Sequence, residues 1–292
     1  MKALRELSYA NASQPRLQRW FIRSIEDMSG RDRFARLCDH WRNEIVPSRD
    51  RIFTRMLDLI QVGLDIRGAW PVRALPEGPL VIVANHPFGI GDGIAILSIA
   101  ERLGRPFKVL INAELLKVPE MEGYSLAIDF SETKEALRNN MEVRHEALRL
   151  LKAGVTIVVF PSGGVATATK ALGRAQDLPW KMFPARLIQD AKANVLPVHF
   201  SGQNGRLFHI VSQPMLHSDV RTRAGRALYK LSLTLRTSLL IREFARLSGR
   251  TIRADVGELI EWQDIEPIRD RKALIEHLHE GVFSVARRRA YA

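Results

Sequence analysis

Leu80-Val81-Ile82-Val83-Ala84, then Asn85-His86-Pro87-Phe88-Gly89-Ile90-Gly91-Asp92-Gly93, then the apolar run from Ile94 to Leu103: the architecture turns on this stretch. Five consecutive apolar residues without polar alternation read as a strand buried on both faces. Pro87 stiffens the exit from that strand, and the run beyond it reads as a helix stopped by Gly104. The same pattern recurs downstream. Phe107 to Ile111, Leu126 to Phe130, Thr156 to Phe160 and Val195 to Phe200 read as buried strands, and Lys134 to Lys152 reads as a long helix stopped by Gly154. Strands alternating with helices predict an α/β fold with a mostly parallel central sheet flanked by helices. In such sheets, functional groups collect at the carboxyl ends of the strands.

Working outward, residues 1–73 read as a helical segment. Leu17, Trp20, Phe21, Ile25 and Met28 recur at helical spacing, as do Ile52, Phe53, Met56, Leu57, Ile60 and Leu64. Residues 74–219 form the α/β core, and residues 220–292 a basic amphipathic region ending in a helix from Arg269 to about Arg289. No internal repeat or low-complexity linker separates the three, so they read as one integrated domain. The chain has 292 residues, 46% of them hydrophobic and 26% charged, which suffices for a large core and excludes a disordered chain. Cys38 is the only cysteine, so neither an intramolecular disulfide nor a four-Cys zinc site can form, and a reducing compartment is expected. The longest apolar stretches, Pro79 to Ala84 and Thr156 to Pro161, fall far short of the ~20 residues a helix needs to cross a bilayer. The opening MKALRELSYANAS lacks a secretory apolar core. These features predict a cytoplasmic protein, peripheral on the inner face of the cell membrane.

Charge narrows the partners. Lys and Arg number 44 against 32 Asp and Glu, a formal net charge of +12. From Val220 to Arg253 there are nine basic residues and one acid, Glu243, interleaved with Leu228, Leu231, Leu235 and Leu239 at helical spacing. A basic helix with an apolar stripe suits an anionic membrane surface, and it also suits an acidic protein or nucleic acid. Arg236, Arg242 and Arg246 are the residues expected to meet a membrane.

The chemistry concentrates after the first strand of the core. His86 stands where a buried strand opens into a loop, and Asp92 just before the helix that follows. If the loop folds back, Asp92 accepts from one imidazole nitrogen and leaves the other free to take a proton from a hydroxyl. That is the His–Asp half of a triad, with the nucleophile left to the substrate. Gly89, Gly91 and Gly93 allow tight turns and close approach of a substrate to the backbone.

The block resembles the first motif of the glycerolipid acyltransferases, in which a His and an Asp lie four or five positions apart after a buried strand. The Asn-His-Pro-x-Gly-x-x-Asp-Gly setting of Asn85 to Gly93 is most similar to the haemolysin-like or lyso-ornithine-lipid branch. Phe160-Pro161-Ser162-Gly163-Gly164 resembles the family's Phe-Pro-Glu-Gly or Phe-Pro-Ala-Gly block, and Val195-Leu196-Pro197-Val198-His199 its last strand motif. Asp129-Phe130 with Glu135-Ala136 and Asn139 or Asn140 looks like the stretch leading to the long helix. The resemblance spans roughly residues 79 to 214.

It implies an acyl thioester donor on coenzyme A or acyl carrier protein, a lysolipid acceptor, His86 as general base and Asp92 orienting it. No cofactor and no metal are implied. Substrate contacts are implied for Asn85, Gly89, Gly91, Gly93, Pro161, Ser162, Gly163, Gly164 and Pro197. The pattern departs from the phosphate-recognising branch in two places: Ser162 replaces its Glu, and Tyr124 to Phe130 holds no Arg. Arg138, or Lys170 and Arg174, could take an anionic head group instead, and a lyso-ornithine lipid becomes a rival to lysophosphatidate. Ser162 as a nucleophile is disfavoured, since its block lacks the first glycine of a nucleophile elbow. His277 and His279, two apart, point to different helix faces. The competing reading is a non-catalytic basic protein that binds anionic membrane or nucleic acid. The His–Asp pair beside a glycine loop favours the enzyme, and no specific nucleic acid is expected as a partner.

Overall fold

Every residue of strand β2, Leu80–Ala84, is fully buried in a computed structural model that describes residues 31–70, 75, 77–112, 119–129, 133–170 and 173–290. The side chains of β2 alternate between two cores. Leu80, Ile82 and Ala84 face one hydrophobic cluster, and Val81 and Val83 face the other, as the two-residue period of a central strand requires. Seven strands form the sheet. These are β1 (Gly63–Gly68), β2, β3 (Phe107–Asn112), β4 (Ser125–Ile128), β5 (Thr156–Val159), β8 (Asn194–Ser201) and β9 (Thr251–Val256), in the order β1-β9-β8-β2-β5-β3-β4. Strands β8, β2, β5, β3 and β4 run parallel, while β9 runs antiparallel to β8 and carries β1 parallel to itself. A short hairpin, β6 (Thr167–Ala168) and β7 (Ala175–Gln176), stands apart from the sheet.

Helices cover both faces, which is why the parallel strands read as continuous apolar runs. On the β2 side facing Ile82 lie α2 (Ile52–Leu59) and α3 (Ile90–Arg102), preceded in the chain by α1 (Arg31–His40). The opposite face is covered by α4 (Lys134–Lys152), α5 (Phe183–Ala191) and α9 (Arg271–Ala290). Helices α6 (Arg206–His217) and α7 (Arg223–Ala245) pack on each other as a hairpin between β8 and β9, and a single turn, α8 (Trp262–Ile265), precedes α9. No helix among the described residues is long and apolar enough to cross a membrane.

The expected strands appear in place, with Leu126–Phe130 ending at Ile128 and Phe130 lying outside the described residues. The stripe from Leu17 to Met28 also lies outside them. Two strands come from regions read as helical or basic. The stripe from Ile52 does not continue to Leu64: Gln61 adopts a left-handed φ of 58°, the helix stops, and Leu64 enters β1. At the other end, Thr251–Val256 leaves the basic stretch and pairs between β8 and β1. Both are edge-side strands whose apolar residues are interrupted by charged ones, so no continuous apolar run announces them.

Candidate active site

The end of β2 is fastened to β8 by a side chain. The Asn85 amide donates to Phe200 O at 2.9 Å and accepts from Phe200 N at 2.7 Å, extending the ladder one residue past the strand. His86 follows, and both of its main-chain groups are held by the segment after β5. Its carbonyl accepts from Ala166 N at 2.7 Å, and its N–H donates to Asp177 Oδ1 at 3.1 Å. Asp177 is itself fixed by Trp180 Nε1, 3.0 Å from its other oxygen. The imidazole stacks on Phe160, with ring centroids 4.0 Å apart, and its side chain is 16% exposed. This is a rigid seat for a residue that still reaches solvent.

Helix α3 begins at Ile90, four residues before the first expected position, so Gly91, Asp92 and Gly93 lie in a helical turn and not in a loop. Gly89 precedes it with φ of 83°, a backbone that a side chain would strain. A Cβ on Gly91 would come within 2.3 Å of Leu247 Cδ1, so this glycine serves close packing rather than substrate approach. Asp92, in the first turn and fully buried, accepts from Phe88 N at 2.8 Å through Oδ2. Its Oδ1 lies 3.0 Å from His86 Nδ1, though off the line of a well-aligned hydrogen bond. Such alignment commonly tightens when substrate binds. Burial pushes the imidazole towards its neutral form, but Asp92, with Asp177 adding, outweighs it and raises the pKa above its ordinary value. Arg236 works against them. The arrangement leaves Nε2 for an incoming hydroxyl. Among the described residues no group of three His, Cys, Asp or Glu side chains could hold a metal ion.

Other residues singled out in the sequence take different places. Ser162 is buried and its hydroxyl donates to Gly164 O at 2.8 Å, so it shapes the turn after β5. Pro161 O accepts from Lys181 N, and Gly163 turns with φ of 65°. Pro197 lies within β8 rather than at its end, buried against Gly257. Its missing N–H falls where β8 bows away to pair with Gly257 and Ile260. Arg138 is 82% exposed and pairs with Glu142 on its own helix, so it is not part of the His86 corner.

Arg236, expected on the membrane-facing surface, is buried instead. Its guanidinium donates to Val165 O at 3.0 Å and Thr167 Oγ1 at 3.1 Å and lies over the Phe208 ring. Burial lowers its pKa to about 10. Its stem sits on the α7 face turned towards α6, which the leucine pattern alone did not distinguish. Arg242 and Arg246 are half-exposed and lie 3.6 and 3.7 Å from the buried Glu243, whose other oxygen accepts from Gly205 N. Sequence reasoning passed over Asp177, Trp180 and Glu243. Only an Asp-Leu-Pro-Trp turn signal marked the first two.

A histidine beside a buried carboxylate at the carboxyl end of a central parallel strand is an arrangement able to take a proton from a hydroxyl. A family model described as Acyltransferase matches residues 65–201. The chain is 23% identical over 239 residues to a lyso-glycine lipid O-acyltransferase of Bacteroides thetaiotaomicron, covering 78% of this chain and 77% of that protein. It is 23% identical over 219 residues to a protein of the same name from Phocaeicola vulgatus, covering 72% and 68%. The fold matches the crystal structure of the 1-acyl-sn-glycerophosphate acyltransferase of Thermotoga maritima with a TM-score of 0.51 at 17% identity, over 99% of this chain and 98% of that one. These similarities support a place for the chain among the glycerolipid and lysolipid acyltransferases.

Proposed function

We propose that the protein moves a fatty acyl group from an acyl thioester, carried on acyl carrier protein or coenzyme A, to the hydroxyl of a lysolipid at a membrane surface. The observation that carries this reading is His86 Nδ1 held 3.0 Å from the buried Asp92 on a side chain that keeps 16% of its surface exposed. His86 Nε2 takes the acceptor's proton as its oxygen attacks the thioester carbonyl. The tetrahedral intermediate collapses to an ester and releases the thiol, which recovers the proton. No acyl-enzyme forms, consistent with Ser162 being spent on its turn. The N–H groups of the first turn of α3, which have no acceptor within the helix, are candidates for the oxyanion.

The acceptor's head group has a candidate place. A cavity of about 80 Å³ beside Phe88, two residues from His86, is lined by Asn204, Gly205, Glu243, Arg246 and Arg250. Asn204 is buried and its Nδ2 lacks a hydrogen-bond partner, leaving a donor in a cavity that Arg250 also lines and where Arg246 offsets the buried Glu243. One small anion would satisfy Asn204 and Arg250, such as the carboxylate of an amino-acid lipid or a phosphate. The names of the two bacterial relatives favour the carboxylate.

Labelled acyl-carrier protein and acyl-coenzyme A, offered with lyso-glycine, lyso-ornithine and lysophosphatidate acceptors, test the reading. The expected result is ester formation that His86→Ala abolishes. Ester formation that survives His86→Ala, or hydrolysis of the donor without any acceptor, would contradict it. Arg250→Gln should raise KM for the preferred anionic acceptor and leave kcat near the wild-type value.

A further inference from the structure

The α6–α7 hairpin leaves large apolar side chains in solvent. Leu207 and Ile210 on α6 are 43% and 47% exposed, Leu228, Leu231 and Leu233 on α7 are 48%, 43% and 41% exposed, and Val220 between the helices is 48% exposed. Six of the nine exposed large apolar side chains among the described residues thus sit on one hairpin. They are not a packing face that happens to be open. Ser232 and Arg236 make the contact with α6, Ser232 Oγ donating to Val211 O at 2.6 Å and accepting from Met215 N at 3.2 Å. Ala224, Leu228, Leu231 and Leu235 recur with the spacing of a separate stripe on the next face of the helix.

The outer part of the hairpin is basic. Arg221, Arg223, Arg226 and Lys230 stand there with one acid, Asp219, which pairs with Arg221, while Arg206 and the buried Glu243 lie at the hairpin's base. An apolar stripe bordered by cations is the form of a helix that lies in the interface of an anionic bilayer. Other occupants fit less well. A second copy would bring the same positive charge. Residues 1–30 carry five basic and three acidic side chains and would add more of it. An acidic soluble protein would answer the cations and leave the leucines wet.

The hairpin also rises from the right place. It begins just after β8, whose Phe200 is tied to Asn85 beside His86. We propose that the exposed half of the α6–α7 hairpin, around Leu228 and Leu231, docks on anionic lipid and brings the His86 edge of the sheet to the bilayer. This deepens the lysolipid reading, but its test does not depend on turnover. Neither Arg236 nor the far half of α7 takes part.

The experiment is cosedimentation of the full chain with phosphatidylglycerol and phosphatidylcholine vesicles, comparing wild type with the double variant Leu228→Glu, Leu231→Glu. Circular dichroism controls for folding, which these exposed positions should not disturb. The expected result is preference for phosphatidylglycerol in the wild type and a loss of at least about tenfold in partitioning for the variant. The variant should still esterify a dispersed short-chain acceptor while failing on a bilayer-embedded one. Partitioning within about twofold of wild type would overturn the proposal. So would a wild-type dimer that the variant dissociates without change in vesicle binding, or a wild type that binds acyl carrier protein but no vesicle. If vesicles are bound and the variant releases them, yet no lysolipid is esterified, the docking surface stands and the proposed reaction falls.

Discussion

The corner around His86 and the outer part of the α6–α7 hairpin rise from the same edge of the sheet and treat their side chains in opposite ways. At the corner, the groups are committed one after another: Asn85 to Phe200, the His86 main chain to Ala166 and Asp177, and Asp177 to Trp180. What is left over is the imidazole itself, its Nδ1 facing Asp92 Oδ1 at 3.0 Å. On the hairpin, leucines of the same helix that buries Leu239 and Phe244 stand in water with arginines around them. Rigid satisfaction marks where a proton is to be moved, because a base must be held in register with its substrate. Unsatisfied apolar surface marks where the protein meets something it does not itself contain.

The contrast can be broken at several points. The largest effect is expected at Asp92. Asp92→Asn keeps an acceptor for Phe88 N–H but removes the charge facing Nδ1, and acyl transfer should fall by about 10²–10⁴-fold. A rate near wild type would mean that the pair does not work as a base and its orienting partner.

Next comes the buried arginine between the two regions. Arg236→Ala removes the guanidinium's bonds to Val165 O and Thr167 Oγ1, which keep only the bond between themselves, empties the space over Phe208, and should lower unfolding free energy by roughly 2–3 kcal/mol. Leu228→Ala, by contrast, should change it by no more than about 0.5 kcal/mol. Urea denaturation of the two variants checks this directly, and equal losses would erase the distinction between the halves of α7. A smaller, local effect is expected at Gly91→Ala, whose Cβ meets the flexible end of Leu247. A cost of about 1 kcal/mol, relieved when Leu247→Ala is added, would locate the strain there.

The pH profile sharpens the corner itself. The base must be neutral to accept a proton, and Asp92 and Asp177 hold the His86 pKa above its ordinary value. The acid limb of kcat/KM should therefore lie at higher pH than for a histidine in water. Asp177→Asn keeps an acceptor for the His86 N–H while removing one of the charges that stabilise the imidazolium. It should move the limb to lower pH. The same linkage acts on stability: the raised pKa contributes stability that is complete below the unfolded-state pKa and is lost as pH rises through the folded one. An acid limb that does not move in Asp177→Asn would leave Asp177 with a purely structural role.

Much of this was legible in the sequence where local pattern and tertiary role coincide. Leu80 to Ala84 reads as a buried strand because it is buried on both faces, and Lys134 to Lys152 reads as a helix with its own cap and stop. His86 and Asp92 could be paired on paper through a loop read as folding back, whereas the structure closes that gap with the first turn of α3. The rest depended on contacts distant in sequence. Asp177 reaches His86 across 91 residues, and nothing in its neighbours points there. Arg236 shares its stretch with solvent-facing arginines, and only the packing of α6 turns it inward. Strands β1 and β9 carry charged residues among their apolar ones, and they pair with each other across nearly 190 residues of sequence.

The most direct test is the rate of ester formation by wild type and His86→Ala, with labelled acyl-carrier protein as donor and a lyso-amino-acid lipid in phosphatidylglycerol vesicles as acceptor. The account predicts a loss of about 10²–10⁴-fold with an unchanged melting transition and unchanged vesicle binding. Ester formation at the wild-type rate by the folded variant would contradict it.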